Sequence, residues 1–567
     1  MCHNNNSRRY NSMKSALSLS FLLIASPVFA QTAIEATTNE FVLDSAAEVE
    51  TLPAPLTAAD IFAGGLEQGF AALGEDGVAF AAFYAANGFA PIWADGNPRT
   101  MLALVTALEQ APVHGLPTAR YSIAALEALW ANADTPEGLA ALEVAAAVSY
   151  ATFAKDLTAG MLNPKSIDKE MNATRRVPEI GDVLSGVATA TNVVEHYRSL
   201  GPSSEEYAQM LELKREMETL VSSNGWGQLV PNGRTLKAGQ NDSRVPLLRV
   251  RLSRRGYDVP DLASTVYDDG LVEVVKQFQT DFGLNSDGAA GPQTLASINA
   301  QPNGRLKQVI VNLERMRWLN YDLGDRHIYV NIPDYQASVM DFGQPTLSFR
   351  IVVGKNRHQT AEFNDTMTHL IANPTWHVPK SITRAEYYPQ LLADPTTLVR
   401  SNIRMIYSGT GQEVDSTLID YSAYSSSDFP FVLQQRPGRG NALGRVKFMF
   451  PNKYNIYLHD TPSRSLFNRD ARAFSHGCVR VQKPMELAYE LLSLQETDPQ
   501  GTFDAILATR QERRIDLNTA IPVHLVYRTA WVDHEGQAQF RHDIYGRDTL
   551  VMNALRNAGV TLVGVEG

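Results

Sequence analysis

The chain has 567 residues, 44% of them hydrophobic and 20% charged, with a net charge of -11 at pH 7. This is soluble globular composition over a length that suits about two to four domains. The acidic balance argues against nucleic acid, whose phosphates need a basic face. No apolar run of about eighteen residues follows the N-terminal segment, so no later span of a membrane is expected.

Arg8, Arg9 and Lys14 precede a short apolar core, Ala16 to Ala25, and Val28 and Ala30 sit at small-residue cleavage positions. Residues 1–30 read as a signal peptide, with a mature chain expected from Gln31. The alternative is an uncleaved anchor. Residues 31–60 are rich in Ala, Thr and Glu and are expected to be a flexible lead-in.

From 61 to 240 the periodicity is helical. "RTMLALVTALEQA" and "LEVAAAVSYATFAKDLTAG" carry apolar residues at three- and four-residue spacing. Gly115, Pro117 and Pro164 punctuate them. No catalytic constellation stands out, so this part reads as a helical scaffold domain. The aromatic turn "GFAPIWADG" (Gly88 to Gly96) reads as packing.

Residues 241–302 form a smaller unit. Val245, Leu248 and Leu252 share one helical face. Leu271, Val274, Val275, Phe278 and Phe282 share another, with Asp268 or Asp269 as its cap. Pro292 opens a third helix that buries Leu295 and Ile298. Phe278-Gln279, Gly283-Leu284, Asp287-Gly288, Gly291 and Thr294-Leu295 resemble the pattern of the type 1 peptidoglycan-binding module. The matched residues are mostly turn and core, so a merely structural role stays open.

Residues 303–530 change rhythm. "RHIYVNI", "LSFRIVVG", "THLIANPTWHVP", "GRVKFMF" and "YNIYLHD" read as strands. About 380–436 turns helical and then irregular, as an insertion that could act as a lid. "PMELAYELL" is a short helix. "AIPVHLVYRTAWVD" and "QAQFRHDIYG" read as a closing β pair, leaving 531–567 as a C-terminal β segment and tail. The fold class expected is multidomain α+β.

Cys478 is one of two cysteines, and Cys2 lies in the leader. If the leader is cleaved, no intramolecular disulfide can form. A lone thiol in an oxidising compartment is a liability unless it is buried or used. The polar flanks Ser475, His476, Gly477 and Arg480 argue for use. A thiolate nucleophile needs a base, and His459, ending an apolar strand, fits better than His476. Asp460 can orient the second ring nitrogen by its carbonyl or its carboxylate. The turn of Ser475, His476 and Gly477 could aim backbone N–H groups at one point, as an oxyanion hole requires. Arg480 could lower the thiol pKa or hold a substrate carboxylate, and Tyr457 is a second substrate-binding candidate. A zinc site is the weaker reading, since structural sites use several cysteines and no H-E-x-x-H occurs, so no metal is expected. Ser475 as nucleophile lacks a G-x-S-x-G setting.

His459, fifteen residues, then Ser475-His476-Gly477-Cys478-Val479-Arg480 resembles the signature of the YkuD-type L,D-transpeptidase family. "YLHDTP", "LFNRDARAFS" and "NALGRVKF" resemble its large Gram-negative branch related to YcbB. Many smaller members have His-Gly-Thr where this chain has His459-Asp460-Thr461. The resemblance implies a mainly-β catalytic domain and a backbone carbonyl as the third catalytic element. It implies attack by Cys478 on a peptidoglycan tetrapeptide stem, loss of D-Ala, and transfer of the thioester to a second stem's amine, giving a 3→3 cross-link. It also implies no cofactor, acylation by carbapenems, a periplasmic location and penicillin-binding proteins as partners. A monomer is expected. Hydrolysis of the same thioester, as an L,D-carboxypeptidase, and a non-catalytic peptidoglycan-binding protein are the alternatives.

Overall fold

The computed structural model describes residues 55–223 and 225–562. The leader, its cleavage point and most of the lead-in lie outside the described residues. Among the described residues no helix is long and apolar enough to cross a membrane.

The alternation seen from Arg326 onward builds β1 (Arg326–Asn331), β2 (Gln336–Asp341), β3 (Gln344–Gly354) and β4 (Phe363–Ala372). Within and beside the insertion lie β5 (Trp376–His377), β6 (Ile403–Tyr407), β7 (Glu413–Val414) and β8 (Phe431–Gln435). Then come β9 (Val446–Met449), β10 (Leu458–His459), β11 (Ala473–Ser475), β12 (Val479–Val481) and β13 (Arg513–Val526). β14 (Ala530–Val532) and β15 (Ala538–Phe540) form a two-stranded ribbon. The large sheet has nine strands in the order β11-β3-β12-β10-β9-β4-β13-β1-β2, and β2 also pairs with β3, which closes the sheet on itself. One face buries Leu370, Phe448, Leu458 and Val479 against Leu487, Leu491 and Phe503 of the helices Pro484–Leu492 and Pro499–Ala508. The candidate residues lie on the opposite face.

The helical scaffold has its own core around Leu66, Phe70, Leu104 and Tyr150. The aromatic turn does pack. The buried Glu143 carboxylate accepts the N–H groups of Ile92, Trp93 and Ala94 at 2.7–2.9 Å and the Tyr84 hydroxyl at 2.6 Å. Trp93 Nε1 donates to the Tyr197 hydroxyl. In the smaller unit the helices are Val245–Ser253, Asp269–Asp281 and Pro292–Ile298, and the Asp268 side chain caps the second by accepting the Leu271 N–H.

Four expectations change. Strands were expected from about 303, but Pro302–Trp318 is a helix, buried along nearly all its last turns. Its charged residues are buried in pairs, Arg317 with Glu314 at 2.8 Å and Arg315 with Asp548 at 2.5 Å, so no polar stripe marks it as amphipathic. The insertion is not helical then irregular. It holds the four-stranded sheet β5-β8-β6-β7 over a small core of Leu391, Met405, Tyr421 and Leu433. "IPVHLV" does not pair with "QAQF": it runs parallel to β1 and antiparallel to β4 inside the main sheet, which explains its near-continuous apolar run. The segment after 531 is not only β and tail, since Arg547–Asn557 is a helix whose Val551 and Leu555 share a core with Leu271, Phe278 and Leu306.

Leu433→Ala is expected to cost about 2–5 kcal/mol locally. Amide exchange should quicken across residues 376–435 while β1 and β2 keep wild-type protection. Equal quickening in both regions would mean the insertion has no core of its own.

Candidate active site

β10 is antiparallel to β9, pairing His459 with Lys447 and Leu458 with Phe448. It is parallel to β12, pairing His459 with Arg480 and Leu458 with Val479. Side chains alternate along strands. Because Leu458, Phe448 and Val479 fill the core, Lys447, His459 and Arg480 line up on the other face. Cys478, two residues before Arg480, falls on that same face. The Val479 N–H donates to Tyr457 O at 3.0 Å, and Cys478 Sγ lies 3.5 Å from Asn455 O, so the cysteine sits beside the chain that leads into His459.

His459 is 5% exposed. Its Nδ1 lies 2.5 Å from the carbonyl oxygen of Asp460. A carbonyl only accepts, so Nδ1 carries the proton and Nε2 is left as the basic nitrogen. The Asp460 carboxylate points elsewhere: it accepts the N–H groups of Arg445 at 2.9 Å and Thr461 at 2.7 Å, and Arg464 lies 3.4 Å away. Gly444 makes room for it, since a Cβ there would fall 2.2 Å from Asp460 Oδ2.

Burial pushes the His459 pKa down to about 3, and the positive charges of Arg480 and Lys447 push the same way against the Asp460 carbonyl. Burial also pushes the Cys478 thiol up. Hydrogen bonding from Tyr457 and the charges of Arg480 and Lys447 oppose that rise without overcoming it. Arg480 therefore acts in the expected direction, but desolvation is the larger effect. The resting pair is a neutral thiol beside a neutral imidazole. Tyr457, raised by its own burial and then by Cys478, stays protonated. Its ring stands edge-on to His459 at 5.7 Å.

The Ser475–Cys478 turn is tied internally. Ser475 Oγ donates to Cys478 O at 2.6 Å and accepts the Gly477 N–H at 3.1 Å. The Gly477 N–H is thus spent inside the turn rather than aimed at a substrate oxygen. Gly477 has φ +114°, and conformation rather than space demands glycine, because a Cβ would meet its nearest neighbour, Gln359 O, at 3.6 Å.

His476 turns away to the insertion. Its Nε2 lies 2.7 Å from Glu386 Oε1 and 3.0 Å from Lys355 Nζ, and the His358 ring lies 4.9 Å from its own. One nitrogen cannot donate to the carboxylate and accept from the ammonium at once, so the two contacts alternate. Glu386 belongs to a π-helical turn, Thr383–Tyr387, so the insertion is pinned two residues from Cys478. A cavity of about 410 Å³ between insertion and sheet is lined by Trp376, Tyr387, Arg436, Thr461 and Arg480. Sequence reasoning missed Lys447, Lys355, Glu386 and Thr360, which touch this site. Only Lys447 left a signal, as the charged residue between buried Val446 and Phe448.

Residues 325–501 match the family model described as the L,D-transpeptidase catalytic domain, YkuD. Residues 78–213 match a "Scaffold domain" and residues 241–298 a "Putative peptidoglycan binding domain". The chain thus carries a catalytic domain of the YkuD L,D-transpeptidase family together with a peptidoglycan-binding domain. Over 244 residues it is 34% identical to a Haemophilus influenzae protein named "Putative L,D-transpeptidase", covering 43% of this chain and 48% of that one. The chain spans about half the length of that relative. Solved structures of L,D-transpeptidases from Xylanimonas cellulosilytica and Stackebrandtia nassauensis are similar at 14% and 11% identity, with TM-scores of 0.17 and 0.22. They cover 52% and 53% of this chain, and 99% and 97% of their own.

Because burial raises the thiol, alkylation of Cys478 by iodoacetamide should accelerate with pH and reach half its plateau above pH 9. A midpoint near pH 6 would mean a thiolate–imidazolium pair instead.

Proposed function

We propose that this protein is an L,D-transpeptidase of the large Gram-negative branch related to YcbB, acting in the periplasm through a thioester on Cys478. The observation that carries the reading is the shared face of His459, Cys478 and Arg480 on β10 and β12, with the His459 Nδ1 proton held by the Asp460 carbonyl. His459 Nε2 takes the thiol proton as sulfur attacks the carbonyl of the third stem residue. The S–C bond forms, the C–N bond to D-Ala breaks, and the same proton passes to the leaving amine. The side-chain amine of a second stem then attacks the thioester, its proton goes to His459, and the thiol is restored with a 3→3 cross-link made. The bond exchanged supplies the energy, and no cofactor is involved.

The neutral resting pair fits this sequence. The proton moves only when a carbonyl is in place to take the developing charge, so the thiolate is not held in readiness. Arg480, facing the cavity under the insertion without a hydrogen-bond partner on its buried Nε, supports the reading of a carboxylate-binding side chain. The insertion pinned at His476 supports its reading as a substrate cap. Water exclusion under that cap favours transfer to an amine over hydrolysis. The peptidoglycan-binding domain supports a wall polymer as the substrate, and penicillin-binding proteins are the partners this reading would draw on.

The test is mass spectrometry of the protein with disaccharide-tetrapeptide. A dimer that has lost one D-Ala is expected, and Cys478→Ala should give none. His459→Ala should lower the rate by about 10²–10⁴-fold while the far-ultraviolet circular dichroism stays that of the wild type. Tripeptide monomer alone would make the protein a carboxypeptidase. Wild-type turnover by Cys478→Ala would sink the mechanism.

A further inference from the structure

Thr360 lies 0% exposed in the connection between β3 and β4, outside the histidine–cysteine motif. Its hydroxyl donates to Gly477 O at 2.8 Å and accepts the Gly354 N–H at 2.9 Å. Its own N–H donates to the Tyr545 hydroxyl at 3.3 Å, and its carbonyl accepts Arg547 Nη2 at 3.0 Å. The Tyr545 hydroxyl in turn donates to Gly354 O. Arg547 is itself fixed, with Nη1 on the buried Glu362 carboxylate at 2.6 Å. Gly354 permits the close crossing, since a Cβ there would fall 2.0 Å from His358 O. The polar groups of Thr360 are thus held by partners on three sides, two of them in the segment after β15.

The carbonyl that Thr360 grips belongs to the peptide whose N–H is that of Cys478. In a trans peptide the C=O and N–H point in opposite directions. Drawing Gly477 O into the interior therefore turns the Cys478 N–H away from Thr360, outward. The other groups of the turn are engaged: Gly477 N–H with Ser475 Oγ, Cys478 O with the same hydroxyl, and Val479 N–H with Tyr457 O. Among the described residues no protein acceptor takes the Cys478 N–H. A free, oriented amide on the nucleophile itself is what an oxyanion needs.

We propose that Thr360, backed by Tyr545 and Arg547, is a positioning residue that sets the Gly477–Cys478 peptide plane so that the Cys478 N–H stabilises the oxyanion formed when Cys478 is acylated. This rests on the reading of Cys478 as an acyl-accepting nucleophile. It adds that the segment after 541, beyond the residues matched by the catalytic-domain family, is part of the machinery's support.

Two reagents separate the oxyanion from the rest of the site. With p-nitrophenyl acetate the sulfur attacks the ester carbonyl, a tetrahedral oxyanion forms, the C–O bond breaks and p-nitrophenolate leaves. With iodoacetamide sulfur displaces iodide and no oxyanion arises. Both are followed on Cys478 in the full chain, with Cys478→Ala as the blank. Thr360→Val, nearly the same shape without the hydroxyl, should slow acylation by about tenfold or more while alkylation stays within about twofold. Thr360→Ser should restore acylation. Tyr545→Phe, which keeps the Thr360 hydroxyl but removes its backing, should lower the acylation-to-alkylation ratio in the same sense, and it decides the matter if Thr360→Val does not fold. A ratio unchanged in the folded variants, or a wild-type Cys478 that alkylates but does not acylate, would overturn the proposal. A wild type that acylates from the ester yet makes no muropeptide dimer would instead fault the reading of the substrate and leave the positioning role standing.

Discussion

Leu458 and His459 make a strand of two residues, too short to hold a direction by itself. β9 and β12 hold it from either side, one antiparallel and one parallel. Because side chains alternate, placing Leu458 in the core with Phe448 and Val479 commits His459, Lys447 and Arg480 to the other face. A slip of one residue would bury the imidazole under the helices Pro484–Leu492 and Pro499–Ala508 and turn the leucine toward the cysteine. The apolar packing of one face is thus what fixes the chemistry of the other. It also sets the electrostatics, because a face so close to the core is largely dry, and desolvation outweighs the favourable charges around the thiol.

Much of this was legible in the residues. The polar flanks of a lone cysteine, the strand-ending histidine and the two-residue rhythm of "YNIYLHD" led to Cys478 and His459 without any contact information. The three-helix unit was readable because its caps and turns are local: Asp268 on its own helix, Pro292 at a first turn. What stayed hidden depends on partners far away in the chain. The helix Pro302–Trp318 carries charges whose partners include Asp548, so its pattern looks polar where it is buried. The sheet in the insertion is built of strands of two to five residues, too short for a period to show. Thr360 sits in "RHQTAEF", with nothing to distinguish it from a loop threonine until Gly477 is brought over it.

The supports of the nucleophile come from three separate stretches. Ser475 and Gly477 close the turn locally. Glu386 reaches His476 from the insertion, and Tyr545 and Arg547 reach Thr360 from beyond β15. Phe540 of β15 also stacks on Phe282 of the peptidoglycan-binding domain, their ring centres 5.8 Å apart. The residues that back the cysteine turn are therefore neighbours in sequence of those that anchor the smaller domain.

The raised thiol and the depressed imidazole have a consequence for the protein's durability. Peroxide attacks thiolates far faster than thiols, and the first product, a sulfenic acid, leads on to irreversible acids when no second cysteine is at hand to trap it. A cysteine kept neutral until an acyl group arrives spends little of its life in the vulnerable form. Without a partner for a protective disulfide, Cys478 is shielded by its protonation state, and the burial that makes it slow at rest is also what keeps it reduced.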